Sequence, residues 1–238
     1  MASALQNAQP SHDQILYLGD QPIPVTEVIR LDPNRTVYRV GIEPVGDLPQ
    51  TVIVKQQKEG WEKEFRQEAE AYEKLNPLQG TVIPRLFGQG SFDGVPALVL
   101  SEVIGTTLYD LAHCRESPIH EKTLRTQLET VFTLLSEYGA VYWDQKVDNF
   151  LLCSEEDSGS SKVMVVDLEQ VRFPGTFRSW EGKVNRNGAR SLMRDFRDIR
   201  YPDREASPVR SWMAGSVRQD ESVSRTTESS SLGVLCAR

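Results

Sequence analysis

Short runs of β-branched and aromatic residues fill the first hundred positions. Residues 25–31 and 36–42 are two such runs, separated by Asp32-Pro33-Asn34-Arg35, a turn sequence, and they predict a β-hairpin. Thr51-Val52-Ile53-Val54-Lys55 predicts a third strand. Residues 83–88 and 97–103 predict two more, with a glycine-rich turn between them. One helix interrupts this series. Gly60 and Trp61 open it, and Asn76-Pro77 stops it near Leu75. Its apolar stripe is Trp61, Phe65, Ala69, Tyr72 and Leu75, spaced for one helix face.

The pattern then changes. Thr107 and Asp110 stand at capping-box spacing ahead of a short helix. Ser117-Pro118 offers an N-cap followed by proline at the first helical position. Leu124, Leu128, Val131, Phe132, Leu135 and Tyr138 repeat at helical spacing, and Gly139 sits where a C-cap belongs. Residues 150–153 and 163–168 predict two strands joined by a polar hairpin loop, residues 155–161. Residues 1–14 read as a flexible tail. Residues 207–238 hold eight serines and few large apolar side chains, too little burial to offset chain entropy, and predict disorder.

Composition narrows the class. The chain has 238 residues, 39% hydrophobic and 26% charged, as expected of a globular protein. No apolar run approaches the roughly 20 residues of a membrane span. The first 14 residues lack the basic and apolar regions of a secretory signal. Three widely spaced cysteines form no disulfide framework. The expectation is an intracellular, cytoplasmic protein with no membrane partner. Residues 1–177 carry 15 basic and 26 acidic side chains, which argues against nucleic acid as a partner. Residues 178–210 reverse the balance, nine basic to five acidic. That stretch reads as a solvated surface segment, with a phosphate-binding or docking surface as the other reading.

Several polar residues stand where they need a reason. Glu68 falls inside the apolar stripe of the first helix, and a carboxylate there requires a cation because an isolated buried charge is very costly. Lys55, at the end of an apolar strand, is the candidate. Asp144 and Asn149 lie five residues apart in a loop between a buried helix and a strand, with Lys146 between them. Asp167 directly follows the apolar run Val163-Met164-Val165-Val166.

The ordered set resembles the protein-kinase-like fold. It runs strand lysine, helix glutamate, Ala-Leu-Val-Leu-Ser-Glu-Val, D-x-K-x-x-N, then an apolar strand ending in aspartate. Within that resemblance Lys55 matches the lysine that orients ATP, and Glu68 its ion-pair partner. Glu102, Val103 and Ile104 match the hinge that holds adenine. Asp144 and Lys146 match the catalytic-loop residues that act on the acceptor and the transferring phosphate. Asn149 and Asp167 match the ligands of Mg2+. Gly-Thr-Thr-Leu after the hinge and Tyr-Gly-Ala-Val before the loop look most like small fungal kinase-like proteins, related to aminoglycoside and choline phosphotransferases. The resemblance implies an α+β, two-lobed fold. Residues 15–105 would be a five-stranded antiparallel N-lobe and residues 106–206 a reduced helical C-lobe.

The departures are specific. The first hairpin turn has no G-x-G-x-x-G, so phosphates lose a backbone cradle. Tyr142 and Trp143 replace the loop histidine and arginine, and Glu169 replaces the glycine of D-F-G. Only 71 residues follow Asp167, too few for a complete peptide-binding C-lobe. Three readings follow. One is a phosphotransferase using ATP and Mg2+, with a protein or small-molecule acceptor still to be identified. Another is a catalytically impaired pseudokinase that binds nucleotide or serves as a scaffold. A third is an interaction protein using its basic stretch. Nothing in the pattern fixes the oligomeric state.

Overall fold

The computed structural model describes residues 15–33, 36–115, 120–154, 161–175 and 181–202. The two expected tails lie outside these residues, as do Asn34-Arg35, Ser117-Pro118 and the polar loop at 155–160.

Strands β1 (Ile15–Leu18), β2 (Gln21–Arg30), β3 (Val37–Ile42), β4 (Thr51–Gln56), β5 (Leu86–Phe92) and β6 (Val95–Ser101) form a closed antiparallel barrel in the order β1-β2-β3-β4-β6-β5. The five-stranded expectation is corrected to six strands. The extra one is β1, which pairs with both β2 and β5 and so closes the sheet. Gly19 (φ +58°) and Asp20 form the tight turn between β1 and β2, in a left-handed conformation that glycine adopts without strain. The fourth predicted strand is shifted to Leu86–Phe92, because residues 76–83 are used in a short turn and loop that pack into the core.

The barrel is filled by one hydrophobic core, including Leu16, Ile23, Val40, Val52, Val54, Phe92, Ala97 and Val99. A second, larger core joins the outer face of β4 and β6 to the helices. The period-two alternation of a strand explains the division. Val52 and Val54 point into the barrel, so Ile53 and Lys55 point out. Ala97 and Val99 likewise point in, while Leu98 and Leu100 join the second core. The outer face is covered by α1 (Glu62–Lys74), which runs between the predicted stop and start signals and buries Glu68, Ala69, Ala71 and Tyr72. Trp61, placed on the apolar stripe by its spacing, is instead 42% exposed as the N-cap residue, with the Lys58 ammonium 5.1 Å above its ring.

The second half mixes helices with short strands. β7 (Thr106–Thr107) leads into α2 (Leu108–His113), and the Thr107 hydroxyl accepts the Asp110 backbone N–H at 3.0 Å, as the capping signal implied. α3 (Glu121–Glu137) carries the predicted stripe and is capped at His120, beyond the Ser117-Pro118 signal. β8 (Val141–Tyr142), β9 (Phe150–Ser154), β10 (Ser161–Val165) and β11 (Val171–Arg172) follow. β9 pairs with β10 and β7, and β8 pairs with β11. β10 ends two residues before Asp167, which therefore sits in the turn rather than on the strand.

The segment read as a solvated basic stretch is corrected in part. It contains α4 (Glu181–Arg200), a 20-residue helix. Gly188, Ala189, Leu192, Met193 and Phe196 give it a buried face against α3. The dense run of arginines on its other face hides this stripe when charge alone is counted. Arg200 is buried, and its guanidinium donates to the carbonyls of Leu111, Cys114 and Arg115, satisfying the otherwise orphaned end of α2. Among the described residues no helix is long and apolar enough to cross a membrane.

The α3–α4 contact yields a test of the packing. A Cβ at Gly188 would drive into the Phe132 ring, which lies in the same core. Gly188→Ala should destabilise the protein by about 1–3 kcal/mol, although alanine is the better helix former. That corresponds to a melting point lowered by roughly 2–12 °C, readable by circular dichroism.

Candidate active site

Lys55 leaves the barrel on the outer face of β4 and meets α1. It is 5% exposed, so its charge requires compensation from close range. Three carboxylates provide it. Lys55 Nζ lies 2.8 Å from Glu68 Oε1, 2.9 Å from Asp167 Oδ1 and 3.2 Å from Glu169 Oε1. Glu68 is 1% exposed, which explains a carboxylate inside the apolar stripe of α1. Its Oε1 also accepts the Leu168 backbone N–H at 3.1 Å, tying α1 to the turn after β10. Asp167 Oδ1 accepts the Glu169 backbone N–H at 3.1 Å, a local turn that fixes its orientation. Glu169 is held from the other side by Lys58 Nζ at 2.9 Å.

Three carboxylates thus face two ammonium groups, one net negative charge when all five are ionised. Burial pushes Glu68 up to about 7, reinforced by Asp167 and Glu169 and opposed by Lys55. Lys55 moves above the usual lysine value: burial works against its charge, and Glu68, Asp167 and Glu169 outweigh it. Asp167 goes below the usual carboxylate range, since Lys55 and the Glu169 N–H overcome its burial. Two phenols lie in the same region. Burial, with nearby carboxylates adding to it, raises Tyr72 and Tyr142 well above the ordinary phenol value.

The second group of polar residues is on the loop after β8. Asp144 Oδ1 lies 2.8 Å from Lys146 Nζ. Asn149, 1% exposed, donates through Nδ2 to Asp144 Oδ2 at 2.9 Å and to the Asp144 carbonyl at 3.0 Å. The loop is stitched to the turn that carries Asp167. Val166 N–H donates to the Asn149 carbonyl at 3.0 Å, and Trp143 N–H to the Gln170 carbonyl at 3.2 Å. Its start is held from behind by Asn185 of α4, whose Oδ1 accepts the Tyr142 N–H at 3.0 Å and whose Nδ2 donates to the Ala140 carbonyl at 2.7 Å.

The structure brings Lys55, Glu68 and Asp167 into direct contact, and it joins Asp144, Lys146 and Asn149 into a second contact group. Glu102, Val103 and Ile104 form the connection between β6 and β7. The Glu102 side chain is taken by Arg39 of β3, Nε to Oε1 2.7 Å, and Ile104 is 84% exposed. Sequence reasoning missed Lys58, Arg39, Asn185 and the carboxylate contribution of Glu169. Glu169 had a signal, being two residues from Asp167. Asn185 had one too, as a polar residue on the apolar stripe of α4. Lys58 and Arg39 are surface cations by pattern, and only the fold shows their partners.

Glu68, Asp167 and Glu169 each offer one carboxylate oxygen, and the three lie within 4.8 Å of one another. These are hard oxygen donors, and Lys55 Nζ already lies against all three residues.

No protein-family model and no curated protein matches the chain. Solved structures do. The kinase domain of PknI from Mycobacterium tuberculosis aligns with a TM-score of 0.54, over 81% of this chain and 76% of that one, at 13% sequence identity. The chain has a protein-kinase-like fold.

The raised Glu68 value carries a definite pH dependence. A carboxyl group whose folded pKa lies above its unfolded value of about 4.5 favours folding most below that value, and the contribution is lost as pH rises through about 7. In metal-free buffer, wild-type stability relative to Glu68→Gln should therefore fall between pH 5 and pH 8. Urea unfolding of both proteins across that range measures it. A difference independent of pH would show that Glu68 is ionised throughout.

Proposed function

We propose that the protein is a phosphotransferase that uses ATP and Mg2+. The observation that carries the reading is the convergence of a buried lysine from β4, a buried glutamate from α1 and an aspartate after β10. A fold of this class with that contact set supports nucleotide phosphate binding. Lys55 would hold the phosphates, and Glu68 would hold Lys55. Asp167 and Asn149 would bind the metal, with Glu169 close enough to contribute. Mg2+ would supply charge neutralisation at the transferring phosphate. Asp144 would orient the acceptor hydroxyl and take its proton, and Lys146 would steady the phosphate. Glu102, Val103 and Ile104 would meet the adenine. The acceptor would be a hydroxyl of a protein or of a small molecule.

A second reading rests on one feature. The β2–β3 connection, residues 31–36, contains no glycine and so lacks the backbone cradle that a triphosphate receives in active kinases. On that reading the protein is a pseudokinase that binds nucleotide without turning it over.

Two substitutions separate the readings. Asp167→Asn should weaken Mg2+-dependent ATP binding measured by calorimetry. Asp144→Asn should leave that binding nearly intact and lower ATP consumption by roughly 10²–10⁴-fold, the usual contribution of a positioned acid or base. ATP consumption equal in wild type and both variants would remove the enzyme reading. Mg2+-dependent binding with no consumption would establish the pseudokinase.

A further inference from the structure

The outer face of α4 carries cations in a line. Lys183, Arg186, Arg190 and Arg194 are all exposed. At 100° per residue they fall within an arc of about 80°, and at 1.5 Å per residue they span about 16 Å. Lys183, Arg186 and Arg190 make no ion pair with any described residue, and Arg194 reaches only its neighbour Asp195. Four such cations along one helix face repel one another. They sit on a chain whose first 177 residues are strongly acidic, so the line is a local reversal of sign.

The surroundings limit what could cover it. Asp195 and Asp198 border the line on one side, and Glu129 and Glu137 of α3 on the other. A bilayer or a nucleic-acid duplex presents a wide negative surface, which would meet these carboxylates as well as the cations. Among the described residues the exposed large hydrophobics all lie outside α4, so the helix has no side chains to insert into lipid. A narrow ligand fits better. Beside Arg186 a groove of about 460 Å³ opens between α3 and α4, lined by Glu129, Thr133, Ser136, Glu137 and Asn185 together with Phe132 and Ala189.

We propose that this face of α4 docks an acidic peptide segment of a partner protein. The segment is helical, and its carboxylates are spaced by three and four residues to meet Lys183, Arg186, Arg190 and Arg194. The proposal is independent of phosphoryl transfer, because no residue of the line touches the Lys55 cluster or the Asp144 loop.

The test uses the full chain and a fluorescein-labelled helical peptide of about 16 residues with glutamates at that spacing, read by fluorescence anisotropy. Wild type should bind at low salt and lose several-fold in affinity when salt is raised, as exposed charge pairing requires. The variant K183Q/R186Q/R190Q/R194Q should bind at least about tenfold more weakly. R186Q/R190Q should show a smaller loss in the same direction and serves if the fourfold variant melts early. K122Q/R125Q, which removes cations from α3, should bind like wild type. Equal binding by wild type and the α4 variants would overturn the proposal. So would tighter binding of phosphatidylserine vesicles or of a DNA duplex than of the peptide.

Discussion

Burying an ammonium group is the constraint from which much of this structure follows. The alternation that sends Val52 and Val54 into the barrel sends Lys55 out, under α1 and next to the second core. A charge in that position is tolerated only with partners at contact distance. Glu68 comes from α1, and Asp167 and Glu169 come from the turn after β10. One cation thereby fixes the pitch of a helix against the barrel and the position of a distant turn against both. The same demand makes the cluster over-supplied with carboxylates, and that surplus adds to burial in holding Glu68 above the usual carboxylate range.

Much of this was legible in the sequence, because the signals are local. The strand ending in Lys55, the stripe of α1 with Glu68 inside it, the capping pair Thr107 and Asp110, and the periodicity of α3 are each contained within a few turns or one strand. Asp144, Asn149 and Asp167 were grouped through the resemblance to kinase-like motifs. What could not be read depends on long-range pairing. β1 is only four residues long, and its strand character comes from having β2 and β5 on either side. α4 was hidden because its arginines dominate the composition of the segment, while its apolar stripe is small residues and a few large ones. Glu102 read as a hinge position, and its salt bridge to Arg39 becomes visible only when β3 lies alongside.

α4 links the two kinds of information. Its inner face holds the Asp144 loop through Asn185 and closes α2 through Arg200. Its outer face is the one strongly cationic line among the described helices. One helix therefore carries both a bond to the loop after β8 and an exposed cationic face.

Closure of the barrel by β1 has a consequence for association. A five-stranded open sheet would leave β2 and β5 with a row of unpaired N–H and C=O groups, the kind of edge onto which a strand from another molecule adds. With Ile15–Leu18 in place each of the six strands has two neighbours. The four residues of β1 thus act as a cover against intermolecular β-pairing. Proteolytic loss of so short a segment would turn a discrete barrel into a template for aggregation.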